Sequence, residues 1–406
     1  MAVSLPDADW RHRPGLDRLL DALDASAGLT RFVGGAVRDG LLGVPVSDLD
    51  IATALEPRAV IARLNDAEIK AVPTGMDHGT VTAVISGWPV EITTLRRDVS
   101  TDGRRATIAY TADWREDAAR RDFTINALYA DPLTHEVTDF FSGVADLEAR
   151  RVRFIGDATA RIAEDHLRIL RYFRFLARFG RDAPDADAYD ACRAAANSLM
   201  ALSRERITDE MCKLLATASP VAALRLMVDG GILRPVLPEI EQDGVDRLAG
   251  LIEREHKCGI GGAALRRLAA LLPPDPAVAD AVGARLKLST RARKRLVTAL
   301  SPQQHGGSRS DPRARAWHAG VEGAIDQILL DPSQPLDDLG LLRDWTPPSL
   351  PIGGGTLIAR GLTAGPDVAR ALRKVQDQWI AEGFPATDRV DTIADQIVSE
   401  FQRARQ

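Results

Sequence analysis

Asp48 and Asp50 stand two residues apart in SDLDIAT, a few residues after FVGGAVRD. On a strand, such residues project from the same face, so their carboxylates can share one divalent cation or bridge two. Magnesium held there would activate an attacking hydroxyl and neutralise a leaving pyrophosphate, the two-metal arrangement. Upstream, Gly34 and Gly35 let the backbone approach a phosphate, the amides opening the next helix favour an anion, and Arg38 can fork onto phosphate oxygens. An isolated Asp-x-Asp is more often a solvated turn. Its place just after GGAVRD is what turns the pair into a candidate metal site. Glu91 is the candidate third carboxylate, because VEITTLR alternates as a half-buried strand and a glutamate on its inner face needs a reason. An exposed edge-strand glutamate is the alternative.

These residues need a frame. The chain has 406 residues, enough for two to four units, with 45% hydrophobic and 27% charged residues, as in globular proteins. No apolar run approaches the length needed to cross a bilayer. The N-terminus does not read as a secretory signal, and Cys192, Cys212 and Cys258 are too scattered for a disulfide framework, so no disulfide partner is expected and the cytoplasm is the expected compartment. A net charge of −5 argues against indiscriminate coating of nucleic acid but not against a tRNA enzyme with segregated charge. Leu16, Leu19, Leu20 and Leu23 predict a helix within 14–27 that stops by Gly28. From 31 to about 140, β-prone runs (RFVGG, LDIAT, VTAVI, VEITTL, ATIAY) alternate with helical segments, predicting a compact α/β domain. Beyond about 157 the pattern is helical throughout, with joints at 273–276, 302–313 and 346–355.

Four blocks occur in order: GGAVRD with DLD, RRDFTINAL at 120–128, EDHLRILRYFRF at 164–175 and SRERITDEM at 203–211. Together they resemble the class II tRNA nucleotidyltransferases and bacterial poly(A) polymerases. The resemblance implies an α/β N-terminal polymerase-β-like nucleotidyltransferase domain over 1–147, followed by an all-α neck over 148–215 and an all-helical body and tail over 216–406. It implies Mg2+ as cofactor, ATP and CTP as substrates and tRNA as partner, with no membrane. It also places Arg120 and Arg121 near the triphosphate or ribose, and Asp122 and Asn126 near the sugar or as supports. Sequence does not say which arginine makes the contact. Phe123, Ile125 and Leu128 are expected in the core.

In EDHLRILRYFRF, a helical pattern puts Asp165 and Arg168 three apart on one face. Cytosine and adenine each present an amino donor beside a ring acceptor, whereas guanine and uracil present the reverse order. An aspartate acceptor beside an arginine donor therefore suits C and A and leaves buried groups unpaired for G and U. The family assigns base selection to this EDxxR position; by spacing alone an exposed Asp–Arg ion pair is the commoner case. Arg171 and Arg174 continue the helix toward phosphate or base, while Arg178 is expected to touch tRNA or solvent. SRERITDEM reads as a supporting helix start, with Ser203 as N-cap and Arg206 and Glu210 spaced to pair.

The polar stretch 98–105 looks mobile, and the family uses a loop in this region to switch from C to A addition; an ordinary surface hairpin is the alternative. The segment 73–99 resembles CCA-adding members and lacks the GRRF-type stretch of bacterial poly(A) polymerases. Full CCA addition is expected, with poly(A) synthesis, partial CC or A addition, or non-catalytic tRNA binding as alternatives. The seven histidines include no His-Asp dipeptide, so no phosphohydrolase activity is expected, and His78, His135 and His166 stand apart from other ligand types. In the tail, Val368, Leu372, Val375 and Trp379 predict a buried stripe, with Arg370, Arg373 and Lys374 as a basic flank and Gly365–Pro366 as a helix start for a tRNA phosphate. Plain tail packing is the alternative.

Overall fold

The computed structural model describes residues 3–102, 105–181, 183–302 and 311–404. The chain divides into two compact units, Met1–Pro238 and Glu239–Gln406. In the first unit, a short helix α1 (Leu16–Ala22) and a 3-10 turn end at Gly28, whose φ of 74° suits glycine at this stop. Then come β1 (Thr30–Val33), α2 (Gly35–Leu41), β2 (Leu49–Thr53), α3 (Pro57–Asp66), β3 (Lys70–Gly75), β4 (Thr80–Ile85) and β5 (Trp88–Thr94). A separate hairpin, β6 (Arg96–Asp102) and β7 (Arg105–Tyr110), precedes α4 (Trp114–Ala119), β8 (Leu128–Ala130), β9 (Val137–Asp139) and α5 (Gly143–Glu148).

Seven strands form one sheet in the order β3-β4-β5-β2-β1-β8-β9, with β2 and β5 parallel and Asp50 directly beside Glu91 in register. All five β-prone runs of the sequence lie on strands here, while β3, β8 and β9 are strands without that signal. Alternation does its expected work on β5: Val90, Ile92 and Thr94 are buried and Glu91 is exposed. Glu91 is therefore not on a buried face as the sequence suggested, nor on an edge strand, since β5 lies between β4 and β2. Phe123, Ile125 and Leu128 are fully buried, as expected.

The helices that follow are α6 (Ala158–Glu164), α7 (Leu167–Phe179), α8 (Ala186–Ala194), α9 (Arg204–Leu215) and α10 (Val221–Asp229). One face of α7 buries Leu167, Leu170, Phe173 and Leu176, and a clear amphipathic split leaves its arginines on the other. Ser203 caps α9, accepting from the Arg206 amide at 3.4 Å.

The second unit holds α11 (Gln242–Lys257), α12 (Ala264–Leu271), α13 (Pro276–Arg285), α14 (Thr290–Leu300), α15 (Pro312–Ala319), α16 (Val321–Leu330), α17 (Gly354–Ala359), α18 (Pro366–Ala381) and α19 (Thr387–Arg403). Of its expected joints, 273–276 separates α12 from α13 and 346–355 leads into α17, while 303–310 lies outside the described residues. In α18 the buried stripe is Ala371, Val375 and Trp379, with Val368 and Leu372 only partly buried beside it. Its basic flank is partly neutralised, Arg370 by Asp367 and Lys374 by Glu400. No described helix is long and apolar enough to cross a membrane.

Candidate active site

Strand pairing puts the Asp50 and Glu91 side chains on one face of neighbouring strands, roughly 5 Å apart at the backbone. Asp48, exposed just before β2 begins, accepts from the Ser47 hydroxyl at 3.0 Å. Burial, then the charges of Glu91 and Asp48, push the Asp50 carboxyl up from 3.8 to about 6, against the pull of Arg121 and Arg38. Carboxylates crowded so that one is reluctant to ionise are a donor set whose strain a divalent cation would relieve. Among the described residues no three carboxylate, imidazole or thiolate groups close around a point. A cation here would complete its shell with substrate oxygens and water, as magnesium does.

Asp50 also belongs to a cleft of about 400 Å³ lined by Gly34, Gly35, Arg38, Arg120, Arg121, Asp122, Asn126, Arg168, Arg171 and Phe175. Nine of the residues read from the sequence as nucleotide-binding meet here; Asp165 and Arg174 do not line it. Gly34 turns the chain from β1 into α2 at φ 65°, a conformation that favours glycine, while a Cβ there would meet only ordinary contacts with Arg121 and Asn126. Arg38 is buried, which lowers its pKa from the ordinary value against the opposing Asp39 charge. It donates to Asp39 at 2.8 Å and to Asn126, and its guanidinium lies 4.1 Å from the Phe179 ring centroid.

Asn126 in turn donates to Asp122 at 3.0 Å, and Asp122 accepts from Arg171 at 2.8 Å. Burial opposes ionisation of Asp122, yet Arg171 and Asn126 outweigh it and hold the carboxyl at about 2. Asp122 and Asn126 thus link α2 to α7 while also lining the cleft. Both members of the arginine pair line the cleft, and both are held by one carboxylate that the sequence reading passed over. Asp117 accepts from Arg120 at 2.9 Å, Arg121 at 3.0 Å and the Tyr129 hydroxyl at 2.6 Å. The signal was present: Asp117 stands three and four residues before the two arginines, the spacing of helical ion pairs.

Asp165 and Arg168 depart from the expected shared helical face. The helix breaks between α6 and α7: Asp165 is extended, with φ −151° and ψ 107°. Its carboxylate accepts from the Leu167 amide at 3.1 Å, fixing the start of α7, and from Arg206 at 2.7 Å. Arg168 pairs instead with Glu164 at 2.5 Å, an i, i+4 contact. Arg206 therefore does not pair with Glu210, which accepts from Arg174 at 2.7 Å. Arg178, expected at tRNA or solvent, is exposed and also bonds Asp39 at 2.9 Å. Each arginine of α7 thus holds an acid from a different part of the unit. The expected mobile loop is the end of the β6–β7 hairpin, and its turn at 103–104 lies outside the described residues, as do the side chains of 98–107.

A mixed sheet carrying a carboxylate row at the edge of an arginine-walled cleft, closed by a following helical region, defines a nucleotidyltransferase head. Residues 30–153 match the family of the "Poly A polymerase head domain", and 183–243 match the "Probable RNA and SrmB-binding site of polymerase A". The mitochondrial CCA tRNA nucleotidyltransferase 1 of Mus musculus is 32% identical over 95% of this chain and 90% of its own. The CCA-adding enzyme of Geobacillus thermodenitrificans is 40% identical over 52% of each chain. The crystal structure of the Bacillus stearothermophilus CCA-adding enzyme in complex with CTP superposes with a TM-score of 0.76 at 26% identity, covering 97% of this chain and 99% of that one. The chain belongs to the CCA tRNA nucleotidyltransferase and poly(A) polymerase family, an enzyme family whose chemistry uses a divalent metal.

Proposed function

We propose that this enzyme adds C, C and A to the 3′ end of tRNA from CTP and ATP, releasing pyrophosphate. The observation that carries this is the cleft itself, where Asp50 meets a wall of Arg38, Arg120, Arg121, Arg168 and Arg171. Five cations in one concavity fit a triphosphate, and a carboxylate at its edge marks where the α-phosphate must lie. The terminal ribose hydroxyl attacks the α-phosphorus as the bond to the bridging oxygen breaks, with the Glu91 carboxylate, beside Asp50 on the neighbouring strand, as the acceptor of its proton. Mg2+ held by Asp48 and Asp50 would supply the positive charge that favours the alkoxide and offsets the departing pyrophosphate. The arginine pair holds the triphosphate in line while Arg168, on the cleft wall, and Asp165, just outside its lining, read the base. The helical region recognises tRNA by shape and backbone, which suits an enzyme that must accept every tRNA.

The full-length likeness to the mouse enzyme and the character of segment 73–99 favour CCA over poly(A). Cys192 is buried and all three cysteines are free, which suits the cytoplasm. Incubation of the protein with tRNA transcripts ending at the discriminator base is expected to give two added residues with CTP alone and three with both nucleotides. Long adenylate tails would replace this reading with poly(A) synthesis, and no incorporation would leave a tRNA-binding protein. Asp165→Ala is expected to reduce the preference for CTP over UTP about tenfold or more, since one bidentate contact carries about 1–3 kcal/mol of discrimination. An unchanged preference removes Asp165 from base selection.

A further inference from the structure

Arg161 sits on α6, buried and outside the lining of the cleft, yet it touches both halves of the nucleotide-handling machinery. One guanidinium nitrogen donates to both Glu164 oxygens, at 2.9 and 2.6 Å. The other donates to the main-chain carbonyls of Arg120 and Arg121, the latter at 2.7 Å. Arg120 is the C-cap of α4, so carbonyls at this point have no partner within their own helix and a cation there is favoured. The same Glu164 holds Arg168 at 2.5 Å, and Arg168 also donates to the Arg161 carbonyl at 2.8 Å. One connected set of charge-assisted bonds therefore runs from the backbone of the arginine pair, through Arg161 and Glu164, to Arg168.

We infer that Arg161 is a positioning residue that fixes the base-reading Arg168 against the backbone of Arg120 and Arg121, so that nucleotide choice depends on a side chain outside the cleft. The inference rests on the reading of Arg168 given above. Base selection needs the reading group held at a fixed distance from the triphosphate, because an edge misplaced by about 1 Å loses most of its discrimination. A planar guanidinium can reach the carboxylate and both carbonyls at once. A lysine ammonium, a single point of charge, cannot.

Full-length wild type and Arg161→Lys would be titrated with each of the four nucleoside triphosphates in Mg2+ without tRNA, with thermal midpoints measured in parallel. Wild type is expected to favour CTP and ATP, and Arg161→Lys to narrow the CTP-to-UTP affinity ratio about tenfold while its midpoint stays within a few degrees. Combining Arg161→Lys with Arg168→Lys should narrow the ratio no further than Arg168→Lys alone. Equal weakening of all four nucleotides, or an unchanged ratio, overturns the inference, as does a wild type with no preference. If Arg161→Lys does not fold, Glu164→Gln keeps the carbonyl contacts while loosening Arg168, and an unchanged ratio there overturns it instead. A wild type that selects CTP and ATP but extends no tRNA defeats the proposed function alone, and the Arg161 inference is then decided by the ratio.

Discussion

Asp50→Asn is expected to lower CTP incorporation by at least about 10³-fold while leaving tRNA binding intact and making the protein more stable at pH 7.5. The opposite signs come from one cause. The folded Asp50 carboxyl titrates near 6 rather than 3.8, so between those values the folded chain holds a proton that the unfolded chain has released. Stability from this group therefore falls as pH rises through that window, and the whole penalty stands above pH 6. The gap corresponds to about 3 kcal/mol, reduced to about 1–2 kcal/mol because the carboxyl is only partly buried and keeps some water. Asparagine removes the charge and so the penalty, and it removes the ligand with it. Urea denaturation at pH 5 and 7.5 checks the stability half: the variant should gain at 7.5 and match wild type more closely at 5. Magnesium should raise the wild-type midpoint at 7.5 and leave the variant unmoved. A variant less stable than wild type at both pH values would mean that Asp50 is held by favourable contacts rather than crowded by its neighbours.

The residues that touch the cleft were largely legible in the sequence because the constraints on them are local. GGAVRD announces a tight turn into a helix and DLD announces the strand that carries Asp50, although Asp48 falls just before that strand and the inner face expected for Glu91 is its exposed one. What the sequence did not show depends on which elements meet. The break at Asp165 is one such case: EDHLRILRYFRF has helical periodicity across its length, and nothing local says that the Asp165 carboxylate turns to the Leu167 amide and to Arg206 on α9. Arg178 is another, since its partner Asp39 lies 139 residues away and only the packing of α7 near α2 joins them. The short strands β8 and β9 carry too few residues for any periodicity: β8 forms on the edge that β1 offers, and β9 on the edge that β8 then offers. Of the ion pairs that stiffen the cleft, those of Asp117 with Arg120 and Arg121 had a local spacing signal, whereas those of Asp122 with Arg171 and of Asp39 with Arg178 join distant elements and show only in three dimensions.

Asp117→Asn tests that stiffening most directly, with an expected loss of about 3 kcal/mol in unfolding free energy together with weaker CTP binding. Asp117 is 1% exposed and is the shared acceptor for Arg120, Arg121 and Tyr129. Burial alone would raise its pKa, but Arg121 and then Arg120 outweigh it and hold the carboxyl at about 2. Because that value lies below the ordinary 3.8, the stabilisation is complete above about pH 4 and is lost as pH falls toward 2, the reverse of Asp50. An asparagine keeps the shape but presents an amide donor toward two guanidinium groups, leaving buried cations without their counter-ion. Tyr129→Phe is the graded comparison, since it leaves the carboxylate and deletes the hydroxyl's 2.6 Å bond to Asp117 and the 3.2 Å bond it accepts from Arg121, and should cost about 1–2 kcal/mol. The KM for CTP should rise in Asp117→Asn more than kcat falls, because the arginines it orients bind the triphosphate before and during reaction alike. If the urea midpoint of Asp117→Asn shifts no more than that of Tyr129→Phe, the arginine pair is held by something other than this carboxylate. Asp117 then has no special claim on the site.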